Sequence, residues 1–214
     1  MAISFGPKIV TTGLIACFDP GNLRTYPGSG TTIYDACGNG YTGTLTNGAS
    51  YSAVNGGVWV TDGVNDYVSI SGINLTSSNY TIMGAARYTT VGGRLINALN
   101  NNWLMGHWAG STENYYAAGW VSAVGAGPGD TNWRIYAATG DIGGDSYSFY
   151  VNGVLNAGPG NGGSAGPNGF SLGAYGGSSE FGAGHIGFLL VYNTILPVAD
   201  ILTNFAAMRG RYGL

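Results

Sequence analysis

A block of ring-bearing side chains in the middle of the chain has the residue types that bind sugars. Five aromatic residues and a histidine fall within 18 residues: Trp103, His107, Trp108, Tyr115, Tyr116 and Trp120. Aromatic rings offer a flat apolar surface to the C–H faces of a sugar, while a few amides and hydroxyls fix its edges. Asparagines at 100–102 and at 114 supply such amides. The block is therefore a candidate glycan-binding site.

The strand pattern favours a different role for much of this block. Side chains of an extended strand alternate between its two faces. Between positions 115 and 124 both alternating sets are mainly apolar, as in a strand covered on both sides. Trp103 and Trp108 are five positions apart, so they must face opposite sides. We therefore expect most of these rings in the core, with the ring nitrogens of His107 hydrogen-bonded. A sugar site stays open for whichever rings face outward.

One predicted turn carries oxygen atoms that suit calcium. Asp62, Asn65 and Asp66 lie within five positions, and hard cations such as Ca²⁺ prefer clustered oxygen ligands. Asp and Asn also form turns by accepting hydrogen bonds from their own backbone, and we favour that interpretation. Calcium at these three residues stays the alternative. No other cofactor is predicted, because the two histidines lack zinc-ligand spacing.

Acidic side chains are too few and too isolated to predict hydrolysis. Glycoside cleavage uses two carboxyl groups on either side of one bond. The only glutamates are Glu113 and Glu180, while Asp141 and Asp145 fall in a predicted turn. Neither a Gly-x-Ser-x-Gly motif nor a local Cys–His signature is present. We therefore expect a protein that is not an enzyme.

Short strands must position these residues. Period-2 alternation with frequent turn residues predicts about eleven strands, among them 14–18, 94–99, 103–108 and 115–124. Asn152-Gly153 between two apolar runs predicts a tight hairpin. A single helix over about 197–209 is predicted by an apolar stripe of Ile201, Leu202, Phe205 and Met208. Composition does not change along the chain. The sequence thus predicts an all-β single domain over 1–214 with one short C-terminal helix.

Composition excludes several classes of partner. Charged residues make up 8% of the chain, against about 25% in ordinary soluble domains. Lys8 is the only lysine, and the six scattered arginines do not predict a nucleic-acid-binding surface. We also expect no membrane span and no signal peptide, because the first 18 residues lack a basic region and a continuous apolar run. Cys17 and Cys37 are expected to be reduced. A nearly uncharged surface favours contact with other proteins.

Several motifs in combination resemble one superfamily. They are GLIACFDPGN at 13–22, YPGSGTT at 26–32, DGVNDYV at 62–68, SFYVNGVL at 148–155 and NFAAMRGRYG at 204–213. With these motifs the chain resembles the laminin G-like jelly-roll proteins of the concanavalin A-like lectin/glucanase superfamily. More narrowly, it is similar to the type common among structural proteins of tailed bacteriophages. Pro197 departs from that pattern, which usually has Ser before the last helix, and so removes a side-chain N-cap.

The resemblance implies a two-sheet antiparallel jelly-roll sandwich and a place in a phage virion. The expected role is a capsid decoration or cement protein, or a tail or baseplate accessory, assembled in the host cytoplasm. Its expected partners are other virion proteins and copies of itself, with no nucleic acid and no membrane. The first alternative is a glycan-binding adhesin that attaches the particle to host-surface sugars. A glycoside hydrolase is the weakest alternative.

Overall fold

The computed structural model describes residues 7–214, which form fifteen β-strands and one α-helix. In chain order the strands are β1 (Leu14–Phe18), β2 (Thr32–Tyr34), β3 (Thr42–Thr46), β4 (Ser50–Ser52), β5 (Val58–Asp62), β6 (Tyr67–Asn74), β7 (Tyr80–Thr90), β8 (Ile96–Asn97), β9 (Trp103–Trp108), β10 (Ser111–Ala117), β11 (Arg134–Asp141), β12 (Ser146–Val151), β13 (Val154–Gly160), β14 (Asn168–Leu172) and β15 (Ala183–Tyr192). The helix α1 is Val198–Met208, and short 3-10 turns lie at Val54–Gly56 and Arg209–Tyr212.

These strands form two antiparallel sheets that stack as a sandwich. The eight-stranded sheet has the order β13-β12-β11-β7-β15-β5-β4, with β1 paired to β15. The seven-stranded sheet has the order β10-β9-β8-β14-β6-β3-β2. β7 and β15 pair in the eight-stranded sheet, although β8, β9, β10 and β14, which lie between them in sequence, belong to the other sheet. The chain therefore crosses repeatedly from one sheet to the other, as in a jelly roll. The predicted all-β, two-sheet fold is confirmed.

The main core lies between the sheets and follows strand alternation. On β14, Phe170 and Leu172 are fully buried in this core, and Ser171 between them faces the other way. Burying one large apolar side chain stabilises the fold by about 2 kcal/mol. The largest fully buried side chains of this core are Phe18, Trp59, Tyr80, Tyr88, Trp103, Tyr115, Tyr136, Tyr147, Phe149 and Phe170.

Helix α1 covers the outer face of the eight-stranded sheet and builds a second core there. Ile201 packs with Phe188 and Leu190 of β15 in this second cluster. Pro197 stands at the N-cap without a side-chain hydrogen bond, as its replacement of Ser predicts. The helix predicted over 197–209 is observed over 198–208. The one α-helix of residues 7–214, α1, has 11 residues and is too short to cross a membrane.

Strand boundaries agree with the predictions where turn chemistry is strong and differ where it is weak. Asn152 and Gly153 have φ values of 51° and 79°, as a two-residue type I′ hairpin turn requires. The strand predicted over 115–124 is wrong, because β10 ends at Ala117 and the chain reverses at Ala118, whose φ is 58°. Only two residues, in β8, remain of the strand predicted over 94–99. The alternation does not predict β2, β3 or β4.

Candidate functional site

The candidate aromatic residues divide between the core and the outer face of the seven-stranded sheet. Trp103 and Tyr115 are fully buried between the sheets, as the core interpretation predicts. Trp108, Tyr116 and Trp120 are half-buried and line a surface pocket. For these three rings the core interpretation is wrong, and the outward-facing alternative applies.

Strand alternation and a chain reversal bring the three outer rings together. Trp108 lies on the face of β9 opposite to Trp103, as their five-position spacing predicts. Tyr116 likewise faces outward from β10. After the reversal at Ala118, Trp120 folds back and bridges to Tyr116. Its ring centroid consequently lies 5.1 Å from the ring centroids of both Trp108 and Tyr116.

The three rings surround a pocket of about 280 Å³. Its lining residues are Arg94, Asn102, Leu104, Trp108, Tyr116 and Trp120. Leu104 is paired with Tyr116 across β9 and β10, so paired strands form one side of the pocket. The volume lies near the lower limit of about 300 Å³ for ligand pockets, which suits a single small ring.

The base of the pocket holds a buried arginine with several fixed partners. The Arg94 side chain is 6% exposed, and its Nε and Nη2 donate to the two carboxylate oxygens of Glu180 at 2.7 and 3.1 Å. Its Nη1 donates to Oδ1 of Asn102 at 2.8 Å. The Tyr175 ring covers the guanidinium, 4.4 Å from its Cζ. Such a bidentate fork holds the carboxylate and the amide in defined orientations.

Glu180, in the loop between β14 and β15, lies beside the pocket and bonds two of its lining residues, Arg94 and Trp108. Its Oε2 also accepts a hydrogen bond from Nε1 of Trp108 at 3.1 Å, and its side chain is 39% exposed. Its φ is 48°, a conformation uncommon for residues other than glycine, and such backbone strain is concentrated at functional sites. A partly exposed carboxylate is therefore held beside the aromatic rings.

Of the polar part of this site, the sequence predicts only Asn102, which is one of the amides expected to border the rings. Sequence reasoning considers Glu180 only as a hydrolytic carboxyl group and does not single out Arg94 or Leu104. Arg94 and Glu180 are 86 positions apart, and no local pattern connects them. One signal does lie in the sequence, because Gly119 between two large rings indicates a turn rather than a continuing strand.

The buried part of the aromatic block forms a hydrogen-bonded core network. Nε1 of Trp103 donates to Oη of Tyr80 at 3.1 Å, and the hydroxyls of Tyr80 and Tyr115 lie 2.6 Å apart. Oη of Tyr115 also donates to the Thr139 carbonyl at 3.1 Å. Burial raises the pKa of Tyr80 and of Tyr115 well above the usual range. These polar groups bond one another and face away from the pocket.

His107 is a core residue without the hydrogen bonds that the sequence predicts. Its ring contacts Tyr88 and Tyr136 edge-on, with centroid distances of 4.4 and 5.5 Å. Neither ring nitrogen has a partner within residues 7–214, so the predicted hydrogen-bonded histidine is wrong. Burial, and secondarily the charge of Arg134, lower the pKa of His107 to about 3. The ring is therefore neutral at physiological pH and does not line the pocket.

We expect the buried His107 to destabilise the protein in mild acid. Above the ordinary histidine pKa of about 6.5, the ring is neutral in both the folded and the unfolded state. Between there and the folded-state pKa of about 3, only the unfolded state binds the proton, so stability falls as the pH is lowered. The slope is at most about 1.4 kcal/mol per pH unit, and urea unfolding at several pH values measures it.

The control for this pH effect is His107→Phe, which removes the titrating group from the core. It should lose most of the slope. Burial and Arg87 also lower the pKa of His185, so His185 supplies a smaller remainder with the same sign. A slope in His107→Phe as steep as in the unsubstituted protein would contradict the assignment.

Of Asp62, Asn65 and Asp66, Asp62 makes a side-chain hydrogen bond that is typical of a turn. Oδ1 of Asp62 accepts a hydrogen bond from the backbone N–H of Val64 at 2.8 Å. Burial and the nearby Asp62 raise the pKa of Asp66, whose carboxylate lies against Gly48. Across residues 7–214 there is no cluster of three or more His, Cys, Asp or Glu side chains. This donor set is poorer than the six to eight oxygens that Ca²⁺ usually takes.

The two cysteines are both free thiols, as the sequence predicts. Oδ1 of Asp35 accepts from the backbone N–H groups of Cys17 and Cys37 at 2.8 and 2.9 Å, so one carboxylate holds both segments. Burial raises the pKa of Cys17 to about 12 and that of Cys37 to about 11. The protonated thiol is a poor nucleophile, so these positions are not suited to thiolate chemistry.

Comparison with known proteins identifies the fold. No protein-family model matches the sequence, and no curated protein matches it. Among solved structures, domain 4 of AbnA, a GH43 extracellular arabinanase from Geobacillus stearothermophilus in complex with arabinotriose, has a TM-score of 0.67 at 19% sequence identity. That match covers 90% of this chain and 98% of the AbnA domain.

Two further structures share the sandwich over part of their length. The binding domain of Paraclostridial Mosquitocidal Protein 1 has a TM-score of 0.65 at 13% identity, and the match covers 91% of this chain and 52% of that one. Trypanosoma rangeli sialidase in complex with the inhibitor DANA has a TM-score of 0.64 at 15% identity, covering 95% and 35%. This chain thus spans about half of the first and about a third of the second. At these identities the likeness establishes the fold alone: the chain is a two-sheet antiparallel β-sandwich of the jelly-roll kind.

Proposed function

We propose that the protein is a glycan-binding module whose sugar ring occupies the pocket of Trp108, Tyr116 and Trp120. The grouping of three partly exposed rings around a cavity that Arg94 and Asn102 also line, with the Glu180 carboxylate beside it, carries this proposal. The rings supply apolar surface for the C–H faces of a sugar, and the polar groups supply partners for its hydroxyls. The AbnA domain, which was solved with arabinotriose, and the mosquitocidal binding domain lend support as fold neighbours.

The proposal is for binding rather than catalysis. Both glutamates are held in ion pairs with buried arginines, Glu180 with Arg94 and Glu113 with Arg134. Glycoside hydrolysis uses two carboxyl groups on either side of one bond, whereas each of these two carboxylates is bonded to an arginine of its own. The pairing of the two glutamates therefore supports a non-enzymatic role.

A glycan array with the purified protein tests this function. We expect binding to one or more oligosaccharides, and loss of that signal in Trp108→Ala, which removes one wall of the pocket. Trp133→Ala is the matched control, because Trp133 is also half-buried but does not line the pocket. The proposal fails if no glycan binds the unsubstituted protein, or if both variants behave alike.

A second candidate role is a structural component of a bacteriophage virion. The sequence resemblance and an exposed apolar surface favour it. Val154 at the start of β13 is 69% exposed, and Val198 and Leu202 are exposed one turn apart on α1. Gly153 lies against Leu202, which places the hairpin beside the helix. No charged residue occurs between positions 146 and 179, so this surface suits contact with neighbouring subunits.

Quantitative mass spectrometry of purified phage particles tests the virion role. A capsid decoration or cement protein should be present in hundreds of copies per particle, and a tail or baseplate accessory in a handful. Absence from the particles would contradict a virion location. A glycan-binding pocket is compatible with either position, since an adhesin on the particle surface would combine both roles.

A further inference from the structure

We infer that the pocket recognises two adjacent hydroxyl groups of a neutral sugar, one donating to Glu180 and the other accepting from Asn102. This inference rests on the proposed glycan-binding function. It adds the chemical class of the ligand, which the three aromatic rings alone do not specify, because rings stack on acidic and neutral sugars alike.

Arg94 determines which end of the Asn102 amide is available to a ligand. A guanidinium has only hydrogen-bond donors, so the Asn102 atom that accepts from Nη1 at 2.8 Å must be the carbonyl oxygen Oδ1. The amide nitrogen Nδ2 then remains as a donor, because the bond to Arg94 is the only hydrogen bond that the Asn102 side chain makes with the described residues. Because Asn102 lines the pocket, this donor can serve a bound ligand.

Glu180 supplies the complementary acceptor. A carboxylate has about four lone-pair positions, two on each oxygen. Oε2 accepts from both Arg94 and Trp108, whereas Oε1 accepts from Arg94 alone. One lone pair of Oε1 is therefore unused by these contacts, on a side chain that is 39% exposed. A ligand hydroxyl can donate to it.

One guanidinium fixes the positions of the acceptor residue and the donor residue relative to each other, because it bonds both. Glu180 and Asn102 are each hydrogen-bonded to Arg94, which makes Arg94 a positioning residue for the pair. On a sugar, one hydroxyl can donate to Glu180 while its neighbour on the next carbon accepts from Asn102. Sites built to hydrogen-bond a hydroxyl discriminate strongly against analogues that lack it.

Acidic sugars are disfavoured because the exposed charge of this ion pair is negative. The Arg94 side chain is 6% exposed and is covered by Tyr175, whereas the Glu180 side chain is 39% exposed. A carboxylate on the ligand would therefore meet the carboxylate of Glu180 rather than the guanidinium. Juxtaposed like charges are a common means of rejecting the wrong ligand.

The experiment compares neutral sugars with their uronates on the same protein. The probes are methyl glycosides of glucose, galactose and mannose and the corresponding uronates, titrated by NMR. We expect the unsubstituted protein to bind at least one neutral glycoside about tenfold more tightly than its uronate. Glu180→Gln keeps an acceptor oxygen but removes the charge, so the preference should shrink to less than about threefold.

Glu113→Gln is the matched control for the charge effect. It alters the other glutamate paired with a buried arginine, Arg134, outside the pocket, and should leave the neutral-to-uronate ratio unchanged. Both ligands of a pair are measured on the same variant, so a modest loss of stability does not change the ratio. Monodeoxy glycosides form a second arm, in which loss of either adjacent hydroxyl should weaken binding about tenfold or more.

The outcomes separate this inference from the proposed function. Uronate binding as tight as neutral binding, or monodeoxy analogues that all bind as well as the parent, would overturn the inference and leave glycan binding intact. If neither class of probe binds, the inference fails, and the glycan array decides separately whether the proposed function stands. If Glu180→Gln leaves the neutral-to-uronate ratio unchanged, Glu180 does not cause the preference for neutral sugars, and that part of the inference is overturned.

Discussion

Trp120→Ala is expected to weaken glycan binding about thirtyfold, since truncating a central aromatic residue of a binding site costs about 2 kcal/mol. The Trp120 ring stands between Trp108 and Tyr116, 5.1 Å from each centroid, so its loss opens the pocket on two sides. Because the ring is only half-buried, the free energy of unfolding should fall by about 1 kcal/mol. Calorimetric titration and thermal unfolding measure the two effects separately.

The control for this prediction is Trp120→Phe, which keeps a flat ring at the same position. It should retain most of the affinity. If Trp120→Ala binds the glycan as tightly as the unsubstituted protein, the sugar does not occupy this pocket.

Trp103→Ala should have the opposite profile, with a large loss of stability. Trp103 is fully buried, and its Nε1 donates to the Tyr80 hydroxyl at 3.1 Å. Removing such a side chain leaves a core cavity and costs about 4 kcal/mol, which lowers the Tm by about 10 °C in a chain of 214 residues. Measured well below that lowered Tm, the affinity for the glycan should change little, because Trp103 does not line the pocket.

Trp103→Phe refills part of the cavity and should recover part of the lost stability. If Trp103→Ala left the Tm unchanged and abolished glycan binding, the assignment of Trp103 to the core rather than to the pocket would be contradicted. Differential scanning calorimetry and titration of the same preparations give both quantities.

The aromatic block shows how far sequence reasoning carries for the site. The spacing of Trp103 and Trp108 on one strand predicts their opposite faces, because strand alternation is a local property. Trp120 is different, because its position depends on the reversal at Ala118. A positive φ is uncommon for alanine, and the neighbouring Gly119 is the one local signal for this turn. The ion pair of Arg94 and Glu180 depends on how a loop 86 positions away packs against Arg94. No local sequence pattern specifies that packing.

The same distinction applies to the fold. Apolar alternation predicts β1 and β9 with their observed bounds, and the Asn152-Gly153 turn predicts the β12–β13 hairpin. By contrast β2, β3 and β4 are short and rich in Thr, Ser and Gly. They contain too few apolar residues to show a clear alternation of apolar and polar positions. They are strands because they pair with neighbours in the sheets, and tertiary pairing outweighs local propensity there.

The indole N–H signals of the five tryptophans give the most direct test of the pocket as a glycan site. In isotope-labelled protein, each indole is a separate NMR probe that can be assigned by Trp→Phe substitution. On addition of a bound glycan, we expect the signals of Trp108 and Trp120 to shift, while those of Trp59, Trp103 and Trp133 stay in place. Shifts confined to Trp133, or binding that leaves Trp108 and Trp120 unchanged, would contradict the account.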